Sequence, residues 1–510
     1  MKHLRKTLSI LLALALCLAL VPTAFAADDL SEEANLVFYV MGDAPQDEQV
    51  VEDAINAVLK EKFNATVDFQ FSTWTDFSLK YNNQLTSGGA DLIYIANWLN
   101  YGLLARAGAF LELDDLLNEY APELRALAGE DMLNMCRVEG ELYAVPALWP
   151  EYVPLGIKYR EDLRAKYDLP YPDSLENIEA YFAGVKANEP DQPILRCTTS
   201  ESASSLFVAF DAATVLNIKY PWVGNNGLPY GLASNYDTPD QVYDYWFSDD
   251  FTDDMKLMKK WADMGFWSKS ALSDSNDSEA YTNGLCIAEV AGMNPNKQIS
   301  SANTFATEHP EWESAYITYG EVTGVLYPGH ATQNGTAIVR GTKYPERCAM
   351  ILNYMMTNEE MNDLVQYGIK GVHYDVVDGM YQNLSENFKY ENFNTWNLRV
   401  NDYKLPQESD VALQAMFDKY NEIAQKSKFP NVNIYGGFTE DYTEYEFQRT
   451  AVSNVMRQYL APLQAGLVED VDAAIAEFRQ KVTEAGLQEC RDGFTEQWVE
   501  IGRASCRERV

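Results

Sequence analysis

Between Asn35 and Ala96 the chain switches repeatedly between the two hydrophobic periods that define strands and helices, and this alternation constrains the fold more than any other feature. Asn35-Leu-Val-Phe-Tyr-Val40 is an apolar run of strand length. Val51, Ile55, Val58 and Leu59 then recur at helical spacing, and Val67, Phe69 and Phe71 alternate as a strand. Phe77, Tyr81 and Leu85 mark a second helix, ended by Gly88-Gly89. Asp91-Leu-Ile-Tyr-Ile-Ala96 shows little alternation, as expected of a strand buried on both faces of a parallel sheet. The order β-α-β-α-β gives an α/β lobe with an open, doubly wound sheet. Ligands of such sheets bind beyond the carboxyl ends of the strands, which points to Gly42-Asp43, Trp74, Asp76, Asn97, Trp98 and Tyr101.

Further along, Tyr143-Ala-Val-Pro-Ala147 reads as an extended crossover leading into Trp149-Pro150-Glu151-Tyr152. A second α/β region follows, with helices expected near 175–185 and 253–264. The stretch 221–239 is rich in Gly, Pro and Asn and reads as a loop or lid. Gly335-Thr-Ala-Ile-Val339 is expected to return as a strand before a helix over 345–356. Residues 410–485 read as mostly helical, with Val455, Tyr459, Leu463 and Leu467 on one stripe. A chain of 510 residues exceeds one core. The expected division is a first lobe over 27–147 with a returning segment near 315–370, a second over 148–314, and a helical region over 371–499 completing the second lobe and the cleft.

Both ends differ from what lies between. Lys2, Arg5 and Lys6 precede an apolar run over 8–20, and Pro22 leads to Ala24-Phe25-Ala26, the pattern of an export signal cleaved after Ala26. An apolar run of about a dozen residues is too short to cross a bilayer. The expected location is therefore outside the cell or in the cell envelope, the periplasm if the host has two membranes. Cys17 follows Leu16 inside the apolar run, where a lipid-modified cysteine would follow a small residue, so anchoring at Cys17 is not expected. Residues 500–510 resemble the conceptual translation of a short-read sequencing adapter, and their basic, cysteine-containing composition breaks with an acidic chain. They are set apart from the fold.

With 39 basic against 76 acidic residues the chain carries −37, which repels phosphate backbones and disfavours nucleic acid and anionic membranes as partners. A neutral or cationic solute suits it better. The sequence has no GxSxG, HExxH, GxxxxGK[ST] or GxGxxG. Glu139 with Glu141, or Asp114 with Asp115, could supply the two carboxylates of a glycosidase, but acids this abundant form close pairs by chance. Asp274-Ser275-Asn276-Asp277 could hold calcium, yet it lacks the glycine and terminal glutamate of the EF-hand and reads as a solvated loop. Cys136, Cys197, Cys286, Cys348 and Cys490 are widely spaced without a CxxC pair, so buried free thiols are expected rather than disulfides. Only His309, His330 and His373 lie beyond the leader. No metal or cofactor is expected.

Binding has more residues behind it. Neutral sugars offer hydroxyls to planar Asp, Asn, Glu and Gln groups and C–H faces to aromatic rings, and the chain has 32 Tyr and 10 Trp. The loops that combine the two types are Trp74 with Asp76, Asn97 with Trp98, Trp149 with Glu151 and Tyr152, and Asn394 with Trp396. For each pair alone, a core aromatic beside a polar turn residue is the alternative.

Several segments, in this order and spacing, carry a family resemblance. They are Ser87-Gly-Gly-Ala-Asp-Leu-Ile-Tyr-Ile-Ala96, Gly108-Ala-Phe-Leu-Glu-Leu-Asp-Asp-Leu-Leu117 and Gly140-Glu-Leu-Tyr-Ala-Val-Pro146. Pro345-Glu-Arg, Tyr367-Gly-Ile-Lys-Gly-Val-His-Tyr374 and Asn394-Thr-Trp-Asn-Leu398 complete the set. Over most of residues 35–499 the chain resembles the family 1 extracellular solute-binding proteins, which are maltodextrin-binding-protein-like, and among them the Firmicutes lipoprotein-type subgroup with an extra C-terminal region. The resemblance implies two α/β lobes joined by crossovers and closing on a carbohydrate, an oligosaccharide, with no catalysis. It also implies an ABC permease and ATPase complex as the membrane partner, and a monomer is expected. The family's cleft-lining loops correspond to Asn97 and Trp98, to the stretch from Trp149 to Tyr152, and more loosely to Asn334, His373 and Trp396. A secreted polysaccharide-active enzyme, or a receptor for a peptide or other small solute, are the alternative readings.

Overall fold

The computed structural model describes residues 30–72, 77–149, 152, 154–196, 228–235, 238–273, 280–292, 295–324, 326, 329–390, 393, 395–426 and 438–507. Eight strands build its two main sheets: β1 (Ala34–Met41), β2 (Ala65–Ser72), β3 (Leu92–Ile95), β4 (Val145–Pro146), β5 (Leu155–Arg160), β6 (Ala288–Gly292), β7 (Ser314–Thr318) and β8 (Gly335–Ile338). The first sheet has the order β2-β1-β3-β8-β4. β1 runs parallel to both β2 and β3, whereas β8 is antiparallel to β3 and β4. All four residues of β3 are buried, which explains why the sequence there lacks alternation. Asp91 fastens its start: the carboxylate accepts from the Val37 amide at 2.9 Å and from the Thr342 hydroxyl at 2.6 Å. Gly335 faces Ile95 and Pro146, and a Cβ there would lie 2.8 Å from the Val145 carbonyl. Only glycine lets β3, β8 and β4 close up at this edge.

Helix α1 (Glu48–Phe63) joins β1 to β2 and α2 (Phe77–Ser87) joins β2 to β3, as the periodicity predicts. Apolar residues of α1, β1 and β2, with helix Pro345–Thr357 and Phe388, Phe393, Leu398 and Val400, form the first core. After β3, a 3-10 turn over Asn97–Leu99 leads into α3 (Tyr101–Arg106), with Asn100 between them at φ 59°. Asparagine tolerates this left-handed conformation better than most side chains.

The second sheet has the order β6-β5-β7, with antiparallel neighbours throughout. Its core includes Ile157, Tyr159, Tyr181, Phe182, Trp261 and Phe266, and also Phe478, Leu487, Phe494 and Trp498 from the C-terminal helices. Two arginines fix those helices to the body. Arg491 grips Asp244 through two bonds of 2.8 and 2.9 Å and donates to the Tyr230 carbonyl, and Arg479 donates to the carbonyls of Trp246 and Ser248. The expected stripe at Val455, Tyr459, Leu463 and Leu467 packs on this core. Helix Leu487–Arg507 continues past residue 500.

Three expected boundaries are corrected. β7, placed by sequence in the segment returning to the first lobe, pairs with β5 of the second sheet. Residues 371–400, placed with the second lobe, instead contribute Phe388, Phe393, Leu398 and Val400 to the first core and form a hairpin of Tyr374–Val377 with Met380–Asn383. The stretch 221–239, expected as a loop, lies outside the described residues up to 227, and beyond it Leu232–Asn235 pairs with Thr238–Asp244 as a hairpin. Cys136, Cys286, Cys348 and Cys490 are buried free thiols, and Cys197 lies outside the described residues.

The chain passes between the two cores along one edge of the first sheet, where the crossover after β4 is flanked on both sides. The Ala147 amide donates to the Asn334 carbonyl, the Leu148 amide to the Arg399 carbonyl, and the Asn401 amide to the Leu148 carbonyl, each at 2.8 Å.

Candidate ligand-binding site

The carboxyl end of β3 gathers the most site-like group. In the turn Asn97–Leu99, the Trp98 amide donates to Asn97 Oδ1 at 2.8 Å, so the asparagine shapes the turn that presents the indole. Trp98 remains 41% exposed although its neighbours Ala96 and Leu99 are buried. Its ring lies 6.1 Å from that of Tyr94, tilted by 52°. The buried Tyr94 hydroxyl donates to Asn334 Oδ1 at 2.5 Å, which orients the Asn334 amide. Asn334 itself follows a 3-10 turn over Ala331–Gln333 that is capped by His330, whose Nδ1 accepts from the Thr332 amide at 3.3 Å. Burial lowers the His330 imidazole to about 4, so it is neutral at ordinary pH. Trp396 is half-buried against the cluster that contains Tyr39, Met41 and Tyr94. Its neighbour Asn397 donates to Thr336 Oγ1 at 2.7 Å and ties that turn to β8.

Trp98 and Asn334 thus meet at Tyr94, Asn97 shapes the turn that carries Trp98, and Trp396 packs on the same aromatic cluster. The arrangement offers an open aromatic face beside planar amides, which is chemistry for stacking a ring and bonding its hydroxyls. Tyr94 was hidden from sequence reading by the aliphatic run in which it sits. Its polar tip in an otherwise aliphatic central strand is the signal that could have found it.

Other candidates are placed elsewhere. Tyr101 points into the core, stacked on Phe110 with ring centroids 6.0 Å apart and its hydroxyl donating to the Cys136 carbonyl at 2.6 Å. His373 is 0% exposed: its Nδ1 accepts from the Ile369 amide at 2.9 Å and its Nε2 lies 3.4 Å from Asp47 Oδ2. Both are core residues, because the chain turns inward at each.

Trp149 is buried under two cations, with Arg399 and Lys404 at 5.5 and 5.8 Å from its ring centroid. It lines a small cavity with Asn362, Gln366, Tyr367, Tyr390 and Tyr403. Tyr152 is buried against Phe417 and Tyr420 and donates to Asn421 Oδ1 at 2.5 Å. These two rings therefore sit in separate clusters at the crossover rather than in the Trp98 group. Trp74, Asp76, Glu151 and Asn394 lie outside the described residues, as do Asp274, Asn276 and Asp277.

Asp114, considered above as a catalytic acid, is gripped by Arg137 through bonds of 2.6 and 2.9 Å and by Arg125 at 3.0 Å. These hydrogen bonds, Arg137 foremost, hold its carboxyl below the usual range, the reverse of what a proton donor needs. Among the described residues, no cluster of three or more His, Cys, Asp or Glu could hold a metal ion.

The family described as bacterial extracellular solute-binding protein matches residues 47–362, and a domain of unknown function, DUF3502, matches 434–500. A carbohydrate ABC transporter substrate-binding protein of Streptococcus pneumoniae serotype 4 is 22% identical over 488 residues, 93% of this chain and 92% of that protein. Among solved structures, the N-glycan transport solute binding protein of Streptococcus pneumoniae, in complex with Man1GlcNAc, matches with a TM-score of 0.70 at 20% identity, over 92% of this chain and 100% of that one. The substrate binding protein FusA of Streptococcus pneumoniae, in complex with kestose, matches with a TM-score of 0.64 at 14% identity, over 93% and 100% of the two chains. These likenesses agree with the two-core α/β architecture.

Proposed function

Since the chain belongs to the bacterial extracellular solute-binding proteins, we propose that it is the receptor of an ABC importer, capturing an oligosaccharide between its lobes and delivering it to a membrane permease and ATPase. The observation that carries the sugar reading is the Trp98 turn, an aromatic face left 41% open at the carboxyl end of β3. A pyranose ring laid on that face buries its C–H side, while the Asn334 and Asn97 amides are within the same group to bond hydroxyls. The excess of acidic residues favours a neutral ligand over an anionic one. The curated relative and the two solved neighbours, each named or solved as a carbohydrate or glycan binder, support the same class of cargo. Membership of this family implies a location outside the cell or in its envelope, and no helix among the described residues is long and apolar enough to cross a membrane.

A thermal-shift screen across mono- and oligosaccharides tests the reading, because a ligand that binds only the folded state raises the melting temperature by mass action. At a hundredfold excess over Kd the gain is about 2.7 kcal/mol. The expected result is a shift with a neutral oligosaccharide and no release of reducing ends. Shifts with peptides alone would overturn the choice of cargo, and enzyme-proportional release of reducing ends would overturn the receptor role.

A further inference from the structure

One contact between the lobes lies away from the crossovers. Gly102, in the first turn of α3, faces Thr439 so closely that a Cβ would lie 2.0 Å from the Thr439 Oγ1 and 2.7 Å from its Cβ. One turn later, Arg106 Nη1 donates to the Thr439 carbonyl at 3.0 Å, while its Nε lies 3.1 Å from Glu139. α3 is part of the first lobe, where Tyr101 and Ala105 pack beside β3.

Residues 438–441 are pinned to the second lobe. Phe438 packs edge-on to Phe494 and Trp498, with centroids 5.5 and 5.3 Å apart. Glu440 Oε1 accepts from the Tyr230 and Tyr445 hydroxyls at 2.6 and 2.8 Å. Asp441 exchanges two bonds with Gln497, its amide donating at 2.7 Å and its carbonyl accepting at 2.8 Å.

We propose that residues 438–441 are an interlobe latch, with Gly102 and Arg106 as its keeper, and that the latch holds the lobes together on the side where ligand enters. The C-terminal region of unknown function thereby gains a part in binding. α3 begins three residues after Trp98, so a ring stacked on the indole and the latch act on one short stretch of chain. Each then favours the other by linkage. The effect on affinity rests on the receptor reading, but the latch itself is measurable without ligand.

Small-angle scattering of the ligand-free chain gives the test. Gly102→Ala, which favours a helix and so keeps α3 intact, is expected to push Thr439 away and enlarge the radius of gyration. The double variant Gly102→Ala/Thr439→Gly is expected to restore it. Arg106→Gln removes the charged donor and is expected to enlarge the radius as well. With whichever carbohydrate gives the largest thermal shift, Gly102→Ala and Arg106→Gln are expected to weaken binding about three- to tenfold. Unchanged scattering in both single variants, with melting temperatures retained, would overturn the latch. That result would leave the receptor reading standing, and a failed sugar screen would leave the scattering result standing.

Discussion

Replacing Trp98 with alanine separates a binding ring from a packing ring, and the structure sets the size of each effect. A tryptophan presents up to about 250 Å², so 41% exposure leaves roughly 100 Å² for a ligand to cover. At about 25 cal/mol per Å² of apolar area, full coverage contributes about 2.5 kcal/mol. Partial coverage gives less, so Trp98→Ala is expected to raise Kd between about 8-fold, for half coverage, and about 70-fold. The buried remainder packs against Tyr94, in a turn rather than a core. A fully buried tryptophan would cost about 3–5 kcal/mol on truncation, and a turn residue with two-fifths of its area already in water about 2–3. Calorimetric titration and thermal melting on the same preparation decide the matter. A variant that loses about 4 kcal/mol of stability yet binds normally in its folded fraction would refute the reasoning and make Trp98 a packing residue.

Four further outcomes are expected. Burial, with Glu359 adding to it, raises the Asp363 carboxyl to about 6, so the folded chain holds this proton more tightly than the unfolded chain and the stability it contributes is lost as pH rises through about 6. Asp363→Asn should therefore melt higher than the parent at pH 7, by about 1 kcal/mol after allowance for partial exposure, and alike at pH 4. His330 acts in the opposite sense: its imidazole is lowered to about 4, and the stability it contributes is lost as pH falls from about 6.5 towards 4. His330→Asn, which keeps an acceptor for the Thr332 amide, should flatten that acid limb in a melting-temperature profile. Arg491→Ala should cost about 1–3 kcal/mol, because it removes the bidentate grip on the half-exposed Asp244 and leaves the Tyr230 carbonyl without its donor, and a denaturant midpoint unchanged from the parent would count against this anchoring of the C-terminal helices. Tyr101→Phe should lose about 1–2 kcal/mol of stability through the Cys136 carbonyl while ligand affinity is retained, and a selective loss of affinity would return Tyr101 to the site.

The first lobe was legible because its signals are local: each strand and helix from Asn35 to Ile95 is marked by its own period or its own short apolar run, and the β-α-β order limits the topology. The exposed position of Trp98 followed from the same logic, since the end of a buried strand is also the end of its apolar run. Tyr101 did not follow. Asn100 reverses the backbone at φ 59°, and the next ring swings to Phe110, an event that turns on one dihedral angle rather than on composition. The burial of Trp149 and Tyr152 depends on Arg399, Lys404, Phe417 and Asn421, all more than 240 residues away, and nothing near either ring announces such cover. The exchange of β7 and of residues 371–400 between lobes was hidden for the same reason. Strand and hairpin periods reveal an element but not which sheet or core receives it.

The triple-stranded edge formed by residues 334–336, 145–148 and 399–401 has a mechanical consequence. Chains hydrogen-bonded side by side make a thin flexure: they yield easily across their plane and resist sliding or spreading within it. Two bodies mounted on such a leaf are left with one soft rotation and several stiff ones. Their mutual search collapses from a tumbling exploration to travel along an arc. If the lobes close on a ligand as proposed, the entropy lost is small, because most of it was surrendered when the ribbon zipped during folding. Substitutions that unpair the Leu148 amide from Arg399 would then loosen the axis itself, broadening the range of jaw angles without altering a single atom that meets the cargo.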